Sequence, residues 1–132
     1  MEKAIPEVVF QVGMVVRDAE AKVALKKYFD FDESSIVVKS TKDMADQGIF
    51  TDNQVLEKTA EFYIKTIRLS FGGIDFEYIQ PLNQEGGDPF SDWLLEHGEG
   101  IHHINLKFSN REVLVENMKQ LGVPVLHSAK MR

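Results

Sequence analysis

Alternating hydrophobic and polar positions predict several β-strands along this chain. Residues 8–16 place Phe10 and Met14 on one face of a strand and Gln11 and Gly13 on the other. Residues 100–108 alternate in the same way. Residues 62–71 and 74–80 are two further strands, and the two glycines between them supply the positive φ angles that a tight hairpin needs. Residues 35–40 are rich in β-branched side chains and predict one more strand.

Three helices are predicted, each after a polar residue that can cap it. The capping residues are Asp18, then Asp88 or Ser91, and finally Asn110. The first helix should end near Phe29, and the third should end at Gly122. Buried side chains are expected on the first helix at Ala21, Leu25 and Tyr28, and on the third at Val113, Met118 and Leu121. Residues 41–59 are polar and predict a loop with a short helical turn, and a last strand is expected to begin at Val123.

The opening pattern of the chain returns near its end. Residues 10–18 can be superimposed on residues 102–110 without a gap, which places Gln11 on His103. Both segments read as strand, cap, helix and strand. The pattern predicts one βαβββ module at about 8–82 and a shortened second module at about 88–132, in a single domain spanning 1–132. The expected fold class is α+β, with a curved mixed sheet and helices on its outer face.

Composition removes several functional classes. The formal net charge of -6 disfavours binding to nucleic acids, and no apolar run is long enough to cross a bilayer. The first residues lack the basic and apolar segments of a secretory signal, so a cytoplasmic location is expected. Because the chain has no cysteine, disulfides and thiolate chemistry are excluded, and any metal must bind nitrogen and oxygen ligands.

The segment PFSDWLLEHGEGIHHINLKF, residues 89–108, resembles the methylmalonyl-CoA epimerases of the vicinal oxygen chelate superfamily in order and spacing. The resemblance extends from Phe10 to Val125. It implies paired βαβββ modules that each form half of a cup, with a divalent metal inside. Carried over position by position, the implied metal ligands are Gln11, Glu77 and His103, and Glu77 is also the implied catalytic residue. Polar side chains expected to line the cup and bind substrate are Gln11, Arg68, Asn105 and Lys107.

Two departures from the family pattern weaken the implied metal site. Gln11 stands where the family usually has histidine, and an amide oxygen is a weaker ligand for a transition metal. The family's fourth ligand, a glutamate on the last strand of the second module, would lie beyond Arg132. We expect either a shortened form of a longer protein or a short member that closes its cup with a second copy, so a homodimer is predicted. Cobalt, nickel, manganese, zinc and iron are not distinguished.

Each candidate residue also has an ordinary structural interpretation. His102 and His103 are neighbours on a strand, so their rings should point to opposite faces and cannot both bind one metal. Glu77 could be a solvent-facing strand residue, and Arg68 and Lys107 could be surface cations.

The leading functional hypothesis is a lyase or isomerase that moves a proton next to a carbonyl with metal assistance, acting on an acyl-CoA or a 2-oxo compound. Arg68 or Lys107 would hold a carboxylate or phosphate of the substrate. An alternative is a metal-free binding protein of the same fold, similar to the bleomycin-resistance proteins. A weaker alternative is a ring-cleaving dioxygenase, which needs two histidines and one carboxylate around iron. With Gln11 in place of the first histidine, one of these ligands is missing.

Overall fold

A computed structural model describes residues 2–30, 37–40, 46, 50–55, 58–59, 62–124 and 127–131. The strands are β1 (Pro6–Val15), β2 (Val37–Ser40), β3 (Phe50–Val55), β4 (Lys58–Thr59), β5 (Ile64–Phe71), β6 (Ile74–Pro81), β7 (Gly100–Phe108) and β8 (His127–Met131). The helices are a 3₁₀ helix (Glu20–Lys27), α1 (Pro89–His97) and α2 (Arg111–Gln120). No helix in these ranges has the length and apolar character needed to span a membrane.

The main sheet has five strands in the order β2-β5-β6-β1-β7. Strands β1 and β6 are parallel, and the other neighbours are antiparallel. The predicted hairpin is confirmed, because β5 pairs with β6 through Gly72 and Gly73, whose φ angles are 63° and 76°. A second sheet has three strands in the order β4-β3-β8. The α+β class and the mixed sheet are therefore confirmed.

Two apolar clusters pack on opposite faces of the main sheet. Ile67 and Leu69 pack with Val16 and Ala19 beside the 3₁₀ helix. On the other face, Val15 and Ile79 pack against Phe90 and Leu94 of α1. We call this second face the inner face, because it also carries Gln11, Gly13 and Glu77. Helix α1 thus covers the end of the inner face that carries Val15 and Ile79. It lies beside the part that carries Gln11, Gly13 and Glu77.

The first predicted helix is wound more tightly than expected. It is a 3₁₀ helix, with three residues per turn, so its inward positions differ from those of an α-helix. The prediction that Ala21 and Tyr28 are buried was wrong, because both residues are exposed. Val23 and Leu25 pack against the core. Asp18 still receives the expected hydrogen bond, since the Ala21 backbone N–H donates to its Oδ1 at 3.3 Å.

Helix α1 begins at Asp88, one of its two predicted caps. Oδ1 of Asp88 accepts hydrogen bonds from the backbone N–H groups of Phe90 and Ser91, both at 2.9 Å. Pro89 occupies the first turn of the helix, where a backbone N–H has no intrahelical partner. The lack of an N–H in proline therefore costs no hydrogen bond there. Gly98 ends the helix with a φ angle of 76°.

Helix α2 differs from the prediction at its cap and on its buried face. Asn110 does not cap the helix through its side chain. Its Oδ1 accepts from the backbone N–H of Ile5 at 2.7 Å, and its Nδ2 donates to the carbonyl of Lys3 at 3.0 Å, so it holds the segment before β1. Met118 and Leu121 are exposed, so their predicted role as anchors was wrong.

A cavity of about 560 Å³ separates α2 from β7. Its lining is mainly apolar and consists of Phe10, Ile104, Asn105, Leu106, Lys107, Phe108, Arg111, Leu114 and Val115. The residues of α2 that border this space are Arg111, Leu114 and Val115. The helix buries none of its residues, because the cavity takes the place of close packing.

The polar segment 41–59 contains two strands that were not predicted. Strand β3 pairs with β4 and with β8, so a distant part of the chain stabilises it. Most of the predicted helical turn lies outside the described residues, as do residues 35 and 36 of the strand predicted at 35–40. The last strand begins at His127 and not at Val123, and residues 125–126 also lie outside the described ranges.

Candidate functional site

The strand registers place two polar rows next to each other on the inner face. In the first row, Arg68 pairs with Glu77, Glu77 with Gly13, and Gly13 with His103. The second row, across the same four strands, consists of Ser70, Asp75, Gln11 and Asn105. Five of the six residues predicted for the site therefore lie together.

A chain of hydrogen bonds links the two rows. Gln11 Nε2 donates to Glu77 Oε2 at 3.0 Å, and Asn105 Nδ2 donates to Gln11 Oε1. Arg68 Nη2 donates to the same Glu77 oxygen at 3.3 Å. Because an ionised carboxylate can only accept hydrogen bonds, Gln11 must turn its amide nitrogen toward Glu77 and its oxygen toward Asn105. Gln11 is only 6% exposed, so this network satisfies an amide that burial would otherwise destabilise.

Arg68 lies between two carboxylates. Its guanidinium contacts Glu77 on one side, and its Nε lies 3.6 Å from Asp75 Oδ2 on the other. Asp75 also accepts a hydrogen bond from the Ser70 hydroxyl. The side chain of Glu77 is 13% exposed and that of Arg68 is 30% exposed, so water screens this charge cluster only in part.

Gly13 provides the surface on which the ring of His103 rests. A Cβ atom at residue 13 would overlap the imidazole, and even Nδ1, the farthest of the three nearest ring atoms, would lie 2.8 Å from it. Only glycine fits beneath this ring. The role of Gly13 was not predicted, although a glycine inside a strand is itself a signal of close approach by another group.

The prediction that His102 and His103 point to opposite faces was wrong. Their Nδ1 atoms lie 2.8 Å apart, and their rings meet edge to face at a centroid distance of 5.1 Å. The cause is a β-bulge in β7: Gly13 pairs with His103 and Met14 with Ile101, which leaves His102 as an extra residue. A bulge breaks the alternation of side chains at this point, so both rings lie beside α1.

Aromatic side chains of α1 enclose the two histidines. The ring of Phe90 lies 5.2 Å from that of His102 and 6.5 Å from that of His103, and Trp93 contacts His102 edge to face at 5.5 Å. Burial lowers the pKa of His103, and the negative charge of Glu77 offsets part of that effect. Burial also lowers the pKa of His102, as do the charges of His103 and His97, while a hydrogen bond to the Pro89 backbone raises it.

These lowered pKa values predict that acid destabilises the fold. Below the ordinary histidine pKa of 6.5, the unfolded chain binds more protons than the folded protein, so stability falls as the pH falls through this window. The melting temperature of the wild type should therefore drop between about pH 7 and pH 5. The melting temperature of His103→Gln should fall less steeply with pH than that of the wild type. The exposed Gln120 provides the control, because Gln120→Ala removes no ionisable group and should leave the slope of the wild type; an equal change in both variants would contradict the assignment.

Lys107 is the one predicted site residue that lies outside the two polar rows. Its side chain is 67% exposed and forms an ion pair with Glu7 at 3.8 Å. Its role in substrate binding stays a prediction.

The donor set of the network does not fit a divalent metal in this arrangement. One oxygen of Glu77 already accepts two N–H groups, and the oxygen of Gln11 faces the amide of Asn105. Coordination of one ion by Gln11, Glu77 and His103 would require Gln11 to turn its oxygen, which now faces Asn105, toward Glu77. Among the side chains that the structure describes, no group of three or more histidines and carboxylates could hold a metal ion.

Comparison with solved structures identifies the fold. The Streptomyces coelicolor methylmalonyl-CoA epimerase superimposes with a TM-score of 0.55 at 16% identity, over 91% of this chain and 74% of the epimerase. The Mycobacterium tuberculosis epimerase gives 0.52 at 14% identity, over 92% and 69% of the two chains. The chain has the methylmalonyl-CoA epimerase fold. A hypothetical protein from Bacillus halodurans shares this fold, with a TM-score of 0.54 at 20% identity over 87% and 68% of the two chains.

No protein-family model and no curated protein matches the sequence. At identities of 14 to 20%, the likeness to these three structures concerns the fold alone. The chemistry of the site must therefore be argued from its own side chains.

Proposed function

We propose that this protein binds a small molecule with a carbonyl group on its inner face and moves a proton on the carbon next to that carbonyl. The observation that carries the proposal is the first polar row, in which Glu77 and His103 lie on either side of Gly13. Two groups able to exchange protons flank a position without a side chain. An epimerase or isomerase needs such groups, because one removes the proton and the other can return it.

His103 is the proposed proton acceptor of this pair. Its lowered pKa keeps the imidazole neutral near neutral pH, as a base requires. In the reaction, the carbon–hydrogen bond breaks, the proton moves to His103, and the electron pair moves onto the carbonyl oxygen to form an enolate. The imidazolium of His103 then returns a proton to the enolate carbon, and the carboxylate of Glu77 is a second group able to accept a proton from that carbon.

Arg68 and Asn105 supply N–H donors for the oxygen atoms of the ligand. A guanidinium binds carboxylates and enolate oxygens strongly, and its position between Glu77 and Asp75 fixes its direction. The substrate class proposed on this basis is an acyl thioester or 2-oxo compound. One of the structures with the same fold, the Streptomyces coelicolor epimerase, holds 2-nitronate-propionyl-CoA.

A divalent metal stays a prediction of the family resemblance, and the proposed proton transfer does not depend on it. The hydrogen bonds of Gln11 and Glu77 argue for transfer through the side chains themselves. Treatment with a chelator should therefore leave the exchange rate unchanged. Loss of exchange on chelation, with recovery after addition of one divalent ion, would instead support metal-assisted transfer.

A metal-free binding protein is the second candidate function. The hydrogen-bonded network of Arg68, Glu77, Gln11 and Asn105 favours it, because such a linked polar surface can hold a ligand without any chemistry.

A homodimer is part of the proposal as well. The position of β7 supports it, since this strand lies at the edge of the five-stranded sheet, where a strand of a second copy can pair with it.

Deuterium exchange from solvent tests the proposed reaction. The protein is incubated in heavy water with methylmalonyl-CoA or with a thiol adduct of a 2-oxoaldehyde, and exchange next to the carbonyl is followed by NMR. We expect exchange with at least one of them, and His103→Ala should lower its rate by about 10² to 10⁴-fold. The control is His97→Ala, which removes an exposed imidazole stacked on Trp93.

Calorimetry on the same ligands distinguishes the two candidate functions. Binding without exchange would support the binding protein and contradict the enzyme. Absence of both binding and exchange would overturn the proposed substrate class.

A further inference from the structure

The cavity between α2 and β7 opens on the face of the main sheet that is opposite the polar rows. Ile104 and Leu106 line it, and they alternate along β7 with His103 and Asn105 of those rows. The cavity is therefore distinct from the candidate site on the inner face. Its volume of about 560 Å³ falls within the range of small-molecule sites, which is about 300 to 1,000 Å³.

Water reaches the apolar lining of this cavity. Phe10, Ile104 and Leu106 are 43%, 55% and 49% exposed, although they lie between a sheet and a helix. Packed protein interiors leave few spaces larger than a water molecule, so a space of this size between two elements is unusual. An apolar ligand that covered these three side chains would be favoured in proportion to the apolar area that it removed from water.

Two asparagines attach α2 to the segment that leads into β1. Asn110, just before the helix, binds the backbone of Ile5 and Lys3. Asn117, within the helix, donates from its Nδ2 to the carbonyl of Glu2 at 2.7 Å. These polar contacts hold the helix although it buries none of its residues. Since α2 is attached without close packing on the sheet, the cavity belongs to the fold and exists before a ligand binds.

The charged residues that line the cavity are both cations. Within the described part of the chain these are Lys107 and Arg111, and no carboxylate lines the cavity. Lys107 is paired with Glu7 at 3.8 Å, whereas Arg111 has no carboxylate partner among the described side chains. Arg111 also begins α2, whose first turn has no side-chain cap, so the positive end of the helix dipole lies beside it. Glu112, in the same turn, is exposed and lies outside the lining.

We propose that this cavity binds a fatty acid, with its hydrocarbon chain between α2 and β7 and its carboxylate at Arg111. An apolar chain joined to one anionic group matches the lining, which is apolar along β7 and positively charged at the start of α2. A carboxylate is a strong acceptor for a guanidinium. This second site is independent of proton transfer on the inner face.

Calorimetry with decanoate, added to the full chain below the concentration at which decanoate forms micelles, tests the site directly. We expect one molecule to bind per chain. Octanoate should bind more weakly by about 4-fold for each methylene that it lacks, because a buried methylene contributes to affinity in this measure. Decylammonium keeps the chain but reverses the charge, and it should bind about 5-fold more weakly than decanoate. Equal affinities for decanoate and decylammonium would contradict the assignment of Arg111.

Two substitutions on α2 locate the ligand. Val115→Phe adds a ring to the lining and should weaken decanoate binding by about 10-fold or more, because a filled cavity resists overpacking. Met118→Phe is the matched control, since Met118 is exposed on the same helix and lies outside the lining. It should keep the affinity of the wild type. Arg111→Gln should weaken decanoate by about 3-fold and should not weaken decylammonium.

Several results would overturn the fatty-acid site. Unchanged affinity in Val115→Phe would place the ligand elsewhere. A wild type that does not bind decanoate, and that forms a dimer which Val115→Phe dissociates in sedimentation, would show that a second copy fills the cavity.

If Val115→Phe does not fold, NMR spectroscopy of the wild type decides. Decanoate should shift the methyl signals of Leu114 and Val115, which line the cavity, and leave those of Val15 and Ile79, which pack under α1. The absence of this selective shift would refute the site.

Discussion

Replacement of Gly13 by alanine is expected to displace the ring of His103 and abolish most of the activity at the site. The new methyl group would overlap the imidazole, which Phe90 and His102 bound on other sides. Such overpacking typically costs about 1 to 3 kcal/mol in the free energy of unfolding. Displacement of a proton acceptor by about 1 Å lowers a rate by about 10²-fold.

A double-mutant cycle with His103→Ala identifies the cause. Without the imidazole, alanine at residue 13 meets no ring, and the loss of a flexible glycine should make it neutral or stabilising by about 0.5 kcal/mol. The coupling energy between residues 13 and 103 should therefore be about 1 to 3 kcal/mol, measured by chemical denaturation.

Gly100→Ala is the matched control for the Gly13 cycle. Its added carbon would lie 3.4 Å from Trp93, close to ordinary contact, so we expect a much smaller loss of stability. If alanine at residue 13 destabilises the protein equally with and without His103, the contact with this ring is not the reason for the glycine.

Replacement of Arg68 by methionine is expected to destabilise the protein by about 2 to 3 kcal/mol in chemical denaturation. Methionine retains the aliphatic part of the side chain but removes the charge between Glu77 and Asp75. Two carboxylates on one face of β6 would then lose their positive partner, and Glu77 is only 13% exposed. The expected loss is below that for a fully buried pair because water reaches 30% of the Arg68 side chain.

Two further variants determine whether charge is responsible for the Arg68 effect. Arg68→Met combined with Glu77→Gln should recover part of the stability, since one of the unpaired charges is gone. Lys107→Met removes an exposed cation paired with Glu7 and should cost no more than about 0.5 kcal/mol. An equal effect of Arg68→Met and Lys107→Met would contradict the interpretation of Arg68.

Features that depend on local side-chain order could be predicted from the sequence. The alternation around Gln11 placed it correctly on the face opposite Phe10, and the paired glycines located the β5–β6 hairpin. Asp88 capped α1 for the same reason, because its hydrogen bonds reach only two and three residues along the chain.

Features that depend on a distant partner could not be predicted. The bulge at His102 arises from the register between β7 and β1, which a single strand does not reveal. Asn110 looked like a helix cap, but its amide binds Ile5 and Lys3, far away in sequence. Strand β3 is polar and gains its order from pairing with β8. The role of Gly13 likewise required the position of His103.

The strand pairs around the site also relate to the internal repeat. The offset that superimposes Gln11 on His103 superimposes Gly13 on Asn105. In the sheet, Gln11 pairs with Asn105 and Gly13 pairs with His103. If the two repeated segments change places, the pair of Gln11 and Asn105 becomes the pair of His103 and Gly13. This relation is expected for two antiparallel strands related by an approximate two-fold axis.

The extra residue in β7 makes the length of this strand as important as its composition. Beyond the bulge, His103 and Asn105 face the polar rows, while Ile104 and Leu106 face away. Deletion of one residue between Gly100 and His102 would remove the bulge and restore regular pairing, with Gly100 still opposite Val15 and His103 still opposite Gly13. The contact between the two histidine rings would be lost, because a regular strand directs neighbouring side chains to opposite faces. The number of residues in β7, and not their identity alone, therefore decides how many rings lie beside α1.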